Sequence, residues 1–290
     1  MNVTERLKFW DEEYHRVSSV TRRYEDVFHV NGTEDDVEVL RCLSDLNTVL
    51  NRISDSMVEL ALGRRLWEAT ILSRTEVEGT TKLLFMCTTD PVERRKRVKE
   101  FDDELPDVSG LRDHRRAKAY LESFGNPTGV GYQPVRDVMQ PDREIERIEK
   151  SYSKAQRGRL EQKWSFASMV EDIARSGFPS IEAFTAQLFA YSLSSHILHM
   201  DGLGLGAICE RAERSEQHRH ATELAHAARV IGNQVASAMM RLAYVRWMKG
   251  LPFKDVFTES NPKPLLDDLD LANKEWHEIE YPVTSAEERG

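Results

Sequence analysis

The stretch VLRCLSDLNTVLNRISDSMVEL, residues 39–60, decides the fold. Val39, Leu43, Leu46, Leu50, Ile53, Met57 and Leu60 recur in alternating steps of four and three. An α-helix turns once every 3.6 residues, so this spacing lays one apolar stripe along one side of a helix for three heptads. A strand would alternate every second residue instead. The stripe therefore predicts a long helix with one face to bury. Leu224, Ala228, Ile231, Val235, Ala238, Leu242 and Val245 repeat the pattern within a helix of about 219–249, closed by Pro252. Two such seams and almost no strand-like segment predict an all-α fold, an antiparallel helical bundle.

Shorter elements fill in around these two. Residues 4–28 make an amphipathic helix with Leu7, Trp10, Tyr14, Val17 and Tyr24 near one side. Asn31-Gly32 turns the chain, and Thr33 caps the next helix with Asp36 as a capping-box partner. Gly63 breaks or kinks the chain before a helix over 64–87. Asp90-Pro91-Val92-Glu93 has the order N-cap, N1, N2, N3. A helix over about 110–123 ends at Gly125, and the Pro- and Gly-rich 124–141 is a long loop. Helices follow over about 142–162, 164–177 (with Gly177 just past its end) and 180–200. The expected organisation is an N-terminal helix over 1–32, a bundle domain over 33–250, and an acidic, partly disordered tail over 251–290.

Composition narrows the function. The chain has 290 residues, 31 % charged, with a net charge of −9. That argues against a protein coated in nucleic acid. The charge is uneven, since residues 90–163 carry 17 Lys/Arg against 15 Asp/Glu. The runs RRKRVK (94–99) and RDHRRAK (112–118) are read as solvated helix faces in preference to an RNA-binding patch. Cys42, Cys87 and Cys209 have no metal-like spacing and are read as small core residues in a reduced, cytoplasmic protein. No apolar run is long enough to span a bilayer, so no membrane partner is expected.

Two helices carry polar residues where the pattern wants apolar ones. On 64–87, Trp67, Ile71, Arg74, Glu78, Thr81 and Phe85 share a face, so Arg74 and Glu78 sit four apart and can pair. A buried pair of this kind is costly to desolvate and suggests a reason beyond stability. On 180–200, the stripe is Ile181, Phe184, Leu188, Tyr191, Ser195 and Leu198, and Tyr191, Ser195 and His199 follow one another at i+4. If the two helices pack together, these groups meet in one polar cluster. The glycines of DGLGLG (201–206) follow a helix, so they are read as a C-terminal stop and a turn. A metal site among His196, His199, Asp201, His218, His220 and His226 lacks both HExxH and a carboxylate partner helix, and no metal or cofactor is expected. Gly-x-Ser-x-Gly is absent.

SRTEVEGTTKLLFM, DPVERRKRVKEF, KWSFASMVEDIARSG and YSLSSHILH, in that order, resemble segments of a family of uncharacterised prokaryotic all-helical proteins with Arg-x3-Glu and Tyr-x3-Ser-x3-His signatures. The resemblance covers about 64–205. That family in turn resembles the HEPN group of small helical bundles, many of them metal-independent ribonucleases in toxin and phage-defence systems. The resemblance implies action on RNA or nucleotides, with Arg74, Glu78, Tyr191, Ser195 and His199 as the site. It also offers an Arg-x4–6-His motif at Arg214 and His220, or at Arg211 and His218. A homo-oligomer and a partner protein are further expectations. The alternative is a non-catalytic interaction or oligomerisation module whose polar cluster only specifies packing.

Overall fold

The computed structural model describes residues 2–29, 34–177, 191–192, 194–252 and 254–282. The Asn31–Thr33 turn, and Ile181, Phe184 and Leu188, lie outside them. The fold is all-α, with no strand among the described residues. The chain divides into two compact units, residues 1–88 with 173–290 and residues 89–172, where the helical pattern predicts one domain over 33–250.

The first unit is built on α1 (Val3–Arg23), α2 (Glu34–Leu62), α3 (Leu66–Cys87), α10 (Gly202–Glu213), α11 (Glu216–Met248), α12 (Lys254–Ser260) and α13 (Lys263–Glu280). Asn2 and Glu5 form a capping box that starts α1. Its apolar side, Trp10, Tyr14 and Val17, is buried as expected, whereas Tyr24 lies in a following 3-10 turn and stays half-exposed. Of the tail, residues 254–260 and 263–280 are helical, and α13 buries Leu265, Leu269 and Ala272 in the same core as Trp10, Met57 and Ile231. Polar contacts fasten it: Trp10 Nε1 donates to Asp268 at 2.7 Å, and Arg6 donates to Glu275 at 2.5 and 3.0 Å. An amphipathic helix that pairs its acids with buried donors is ordered despite its charge.

The seam on α2 is not the purely apolar one. Leu46, Ile53 and Leu60 are only half-buried, while Asn47, Ser54 and Ala61 are buried. The true seam is Leu40, Leu43, Asn47, Leu50, Ser54, Met57 and Ala61, again in steps of three and four. On α11 a second seam, Ala227, Val230, Gln234, Ser237, Arg241 and Tyr244, is buried beside the expected one. These polar seam residues meet. Arg241 and Glu76 of α3 are both 0 % exposed and form an ion pair at 2.6 Å. Arg241 also donates to Asn47 at 2.9 Å, Asn51 at 2.8 Å and Thr80 at 3.0 Å. Thr80 and Ser237 donate to the Glu76 carboxylate as well. At Gly79, α2 comes so close that a Cβ would lie 2.4 Å from Leu50 Cδ2.

The second unit holds α4 (Pro91–Lys99), α5 (Leu105–Ser123), α6 (Gln133–Asp137), α7 (Asp142–Ser151), α8 (Lys154–Lys163) and most of α9 (Phe166–Arg175). Asp90 caps α4 as predicted, accepting from Val92 N at 2.9 Å and Glu93 N at 3.1 Å. A π-turn over 100–104 carries α4 directly into α5, so the helix expected over about 110–123 already starts at Leu105. The helix expected over 142–162 is two, because a Ser153–Gln156 capping box starts α8 anew. Glu100 is the polar centre of this unit. It accepts from Trp164 Nε1 and from Lys163, each at 2.9 Å. Gly177, past the end of α9, has the positive φ expected of it, +70°.

Candidate functional site

Arg74 and Glu78 stand one turn apart on α3, and Tyr191, Ser195 and His199 stand one turn apart on a helical segment described at 191–192 and 194–199. The structure brings all five together. Arg74 Nη1 donates to Ser195 Oγ at 2.8 Å and to His199 Nε2 at 3.1 Å. Arg74 Nε donates to Glu78 at 3.2 Å, and the Tyr191 hydroxyl donates to the same carboxylate oxygen at 2.8 Å. The guanidinium carbon lies 5.1 Å from the centre of the Tyr191 ring, a cation–π distance.

The depth of the cluster differs from the expectation. The face expected to be buried on α3 is half-exposed at Trp67, Ile71, Arg74 and Glu78, and only Thr81 and Phe85 on it are buried. The Arg74 and Glu78 side chains are 22 % and 34 % exposed. Likewise Leu198 is exposed, and the buried side of the second segment is Ser194 and Ile197. One residue of rotation on each helix turns the strip from the core to its rim. The buried acid of α3 is Glu76, not Glu78.

Arginine has no acceptor, so His199 Nε2 must receive the hydrogen bond from Arg74. In that tautomer the ring N–H is on Nδ1. The Tyr191 hydroxyl is held protonated, its pKa raised by burial and by the Glu78 carboxylate.

The turn that follows is made by Met200 and Asp201, not by the glycines. Met200 takes a positive φ of 50°, and Asp201 caps α10 by accepting from Leu203 N and Gly204 N, each at 3.0 Å. Its other oxygen pairs with His196 Nδ1 at 2.6 Å, and that contact together with the cap holds the Asp201 carboxyl below its usual range. Gly202, Gly204 and Gly206 lie inside α10. Gly204 is needed there, since a Cβ would sit 2.3 Å from the His196 carbonyl oxygen.

The other motif does not assemble. Arg214 donates to Glu210 at 2.6 Å, Thr222 at 3.0 Å and Glu280 at 2.8 Å. His220 lines a separate cavity of about 170 Å³ with Arg64 and Glu223. His218 pairs with Ser215 at 2.7 Å. Arg211 instead lies 4.1 Å over the Trp67 ring and donates to His226 Nδ1 at 2.8 Å. Thr70 spends its proton on the Leu66 carbonyl, so it accepts from His226 Nε2 at 2.7 Å. His226 is thus buried, neutral and fully bonded, with its pKa pushed down to about 3 by burial and by Arg211 and Arg229. The sequence reading missed this group because its parts lie on three helices.

Among the described residues, no group of three or more His, Cys, Asp or Glu could hold a metal ion. Cys42 and Cys87 are core residues, but Cys209 is exposed. No described helix is long and apolar enough to cross a membrane. No family model, curated protein or solved structure matches the chain.

Proposed function

We propose that the Arg74–His199 cluster cleaves RNA without a metal, in an HEPN-like helical protein of a prokaryotic toxin or phage-defence system. The observation that carries this reading is one guanidinium, partly exposed, holding an imidazole nitrogen and a hydroxyl on the same strip. RNA cleavage needs a base for the 2′-hydroxyl, an acid for the leaving 5′-oxygen and a cation for the phosphorane charge. A phosphate entering the cluster competes for Arg74 and frees the His199 Nε2 lone pair. His199 then takes the 2′-proton, O2′ attacks phosphorus, and Arg74 stabilises the equatorial oxygens. Tyr191, kept protonated over Glu78, gives its proton to the leaving oxygen. The products are a 2′,3′-cyclic phosphate and a 5′-hydroxyl.

The test is single-stranded RNA incubated with purified protein in EDTA, with product ends identified by mass spectrometry. His199→Ala and Arg74→Ala should each abolish cleavage. Arg74→Ala should also melt close to wild type, because partly exposed ion pairs contribute only about 0–1 kcal/mol. Cleavage that survives both substitutions refutes the assignment.

A second reading, a homo-oligomeric interaction module, is favoured by an apolar patch beside the cluster. Leu198, Met200, Leu203 and Leu205 are 42–70 % exposed over eight residues. In that case light scattering shows an oligomer that Leu203→Asp dissociates, and no RNA is cut.

A further inference from the structure

The second unit contains a groove of about 740 Å³ between α5 and α8. Arg112, Arg115 and Arg116 line it from α5, and Lys154 and Arg157 from α8, with Glu161 as the acid among them. The sequence treats the α5 run as a solvated face, and on α5 alone it is one. The second basic helix, about forty residues on, makes it a groove. The other run, 94–99, behaves differently: Arg97 is buried against Glu93 and Asp172, at 3.4 and 2.8 Å.

The three α5 arginines of the groove are not locked, whereas Arg157 also donates to the Tyr152 carbonyl at 2.8 Å. Arg112 pairs with Glu161, Arg115 with Glu149 and Arg116 with Asp113, and in each pair both side chains are about half-exposed or more. Exposed pairs of this kind contribute little, so a phosphate can displace the carboxylate and gain the charge-assisted, bidentate geometry that guanidinium favours.

A second feature stands at the end of the same helix. Arg112, Arg116, Tyr120 and Phe124 follow one another at i+4, which places them along one strip. Tyr120 and Phe124 are 47 % and 56 % exposed. Their rings are 4.9 Å apart, and Phe124 lies 6.2 Å from Tyr132. Cations that lead into exposed aromatic rings are what a single-stranded nucleic acid uses, with phosphates on the cations and bases stacked on the rings.

We infer that this groove binds single-stranded RNA, its phosphates on Arg112, Arg115, Arg116, Lys154 and Arg157 and its bases on Tyr120 and Phe124. The choice of RNA among polyanions rests on the cleavage reading above. The existence of the groove does not.

The experiment uses the full chain and a fluorescein-labelled, 2′-O-methyl oligouridylate, which lacks the free 2′-hydroxyl needed for cleavage. Anisotropy titrations across a salt series should give a log–log slope of about −2 to −3.5, the value for three to five phosphates on a single strand. R116E/R157E should weaken binding at least about tenfold. Tyr120→Ala/Phe124→Ala should weaken the oligonucleotide by a similar factor while leaving inorganic polyphosphate binding unchanged. Circular dichroism confirms that each variant is folded. Wild-type protein that does not bind at low salt, or binding untouched by R116E/R157E, overturns the groove. An aromatic variant that binds the oligonucleotide as tightly as wild type, or that loses polyphosphate equally, overturns the stacking platform. If the oligonucleotide binds but no RNA is cut, the cleavage reading fails and the groove stands. If RNA is cut but R116E/R157E neither binds less nor cuts less, the groove fails and the cluster stands.

Discussion

Arg241→Met tests what holds the first unit together. The substitution keeps a long, flexible stem and removes the charge, so the main change is electrostatic rather than a cavity. In the wild type the guanidinium donates to Glu76, Thr80, Asn47 and Asn51, and neither charge is exposed. Burial pushes the Glu76 carboxyl up, and Arg241, Thr80 and Ser237 pull it back. Without Arg241 the protein must bury an unpaired carboxylate or bind a proton. Breaking a buried pair in this way costs about 3–5 kcal/mol. For a folding unit of this size, the melting temperature then falls by about 6–20 °C. The pH dependence has a definite sign. A carboxyl raised further above its unfolded value binds a proton in the folded state that the unfolded chain releases. The damage is therefore smallest near the unfolded carboxyl pKa, about 4.3, and grows as pH rises. Calorimetry at about pH 5 and about pH 8 should show the larger loss at the higher pH. Glu76→Leu/Arg241→Met, which removes both charges, should recover part of the loss. A single variant that melts within about 2 °C of wild type at the higher pH refutes the reasoning, as does a double variant no better than the single.

The depressed pKa of His226, about 3, means that stability is fully present above the unfolded histidine pKa and is lost as pH falls toward the folded one. Urea unfolding should show a fall of about 1.4 kcal/mol per pH unit across that window, and His226→Gln should flatten the slope. Asp90→Ala removes the α4 cap and should cost about 1 kcal/mol in chemical denaturation. Gly204→Ala drives a Cβ into the His196 carbonyl and should destabilise by about 1–3 kcal/mol. Gly206→Ala, where a Cβ meets nothing, should stabilise α10 by up to about 1 kcal/mol. Thermal melts of the two alanine variants should therefore move in opposite directions.

Helix type was legible because spacing alone carries it. The seams of α2 and α11 were visible through Leu43, Leu50, Met57, Ile231 and Leu242. Their polar members were not, since Asn47, Ser54, Gln234 and Arg241 hold heptad positions but score as surface residues when taken singly. A polar residue that continues a three-four step beside an apolar seam was the available signal. Glu76 escapes the pattern for the same reason, because its cationic partner Arg241 is 165 residues away, whereas Glu78 has its partner Arg74 one turn back on the same helix. The five-residue strip was legible in its membership, because i+4 spacing on two helices survives whatever their rotation. Its exposure was not legible, because one residue of rotation moves a strip from core to rim. The basic groove needed two runs to be brought together in space, and no local pattern reports that.

Glu76 and Arg241 are separated by 165 residues. At about 5–20 residues per second, about 8–33 s of synthesis pass between the appearance of the carboxylate and that of its only buried cationic partner among the described residues. The whole second unit is made in that interval and has time to fold first. Through the same interval α1, α2 and α3 can close over Glu76 only by burying a bare charge or a bound proton. The pair thus disfavours closing the first unit before Arg241 has been made. A chain stalled before Arg241 exposes a helical surface it cannot seal, which is the kind of species that chaperones hold.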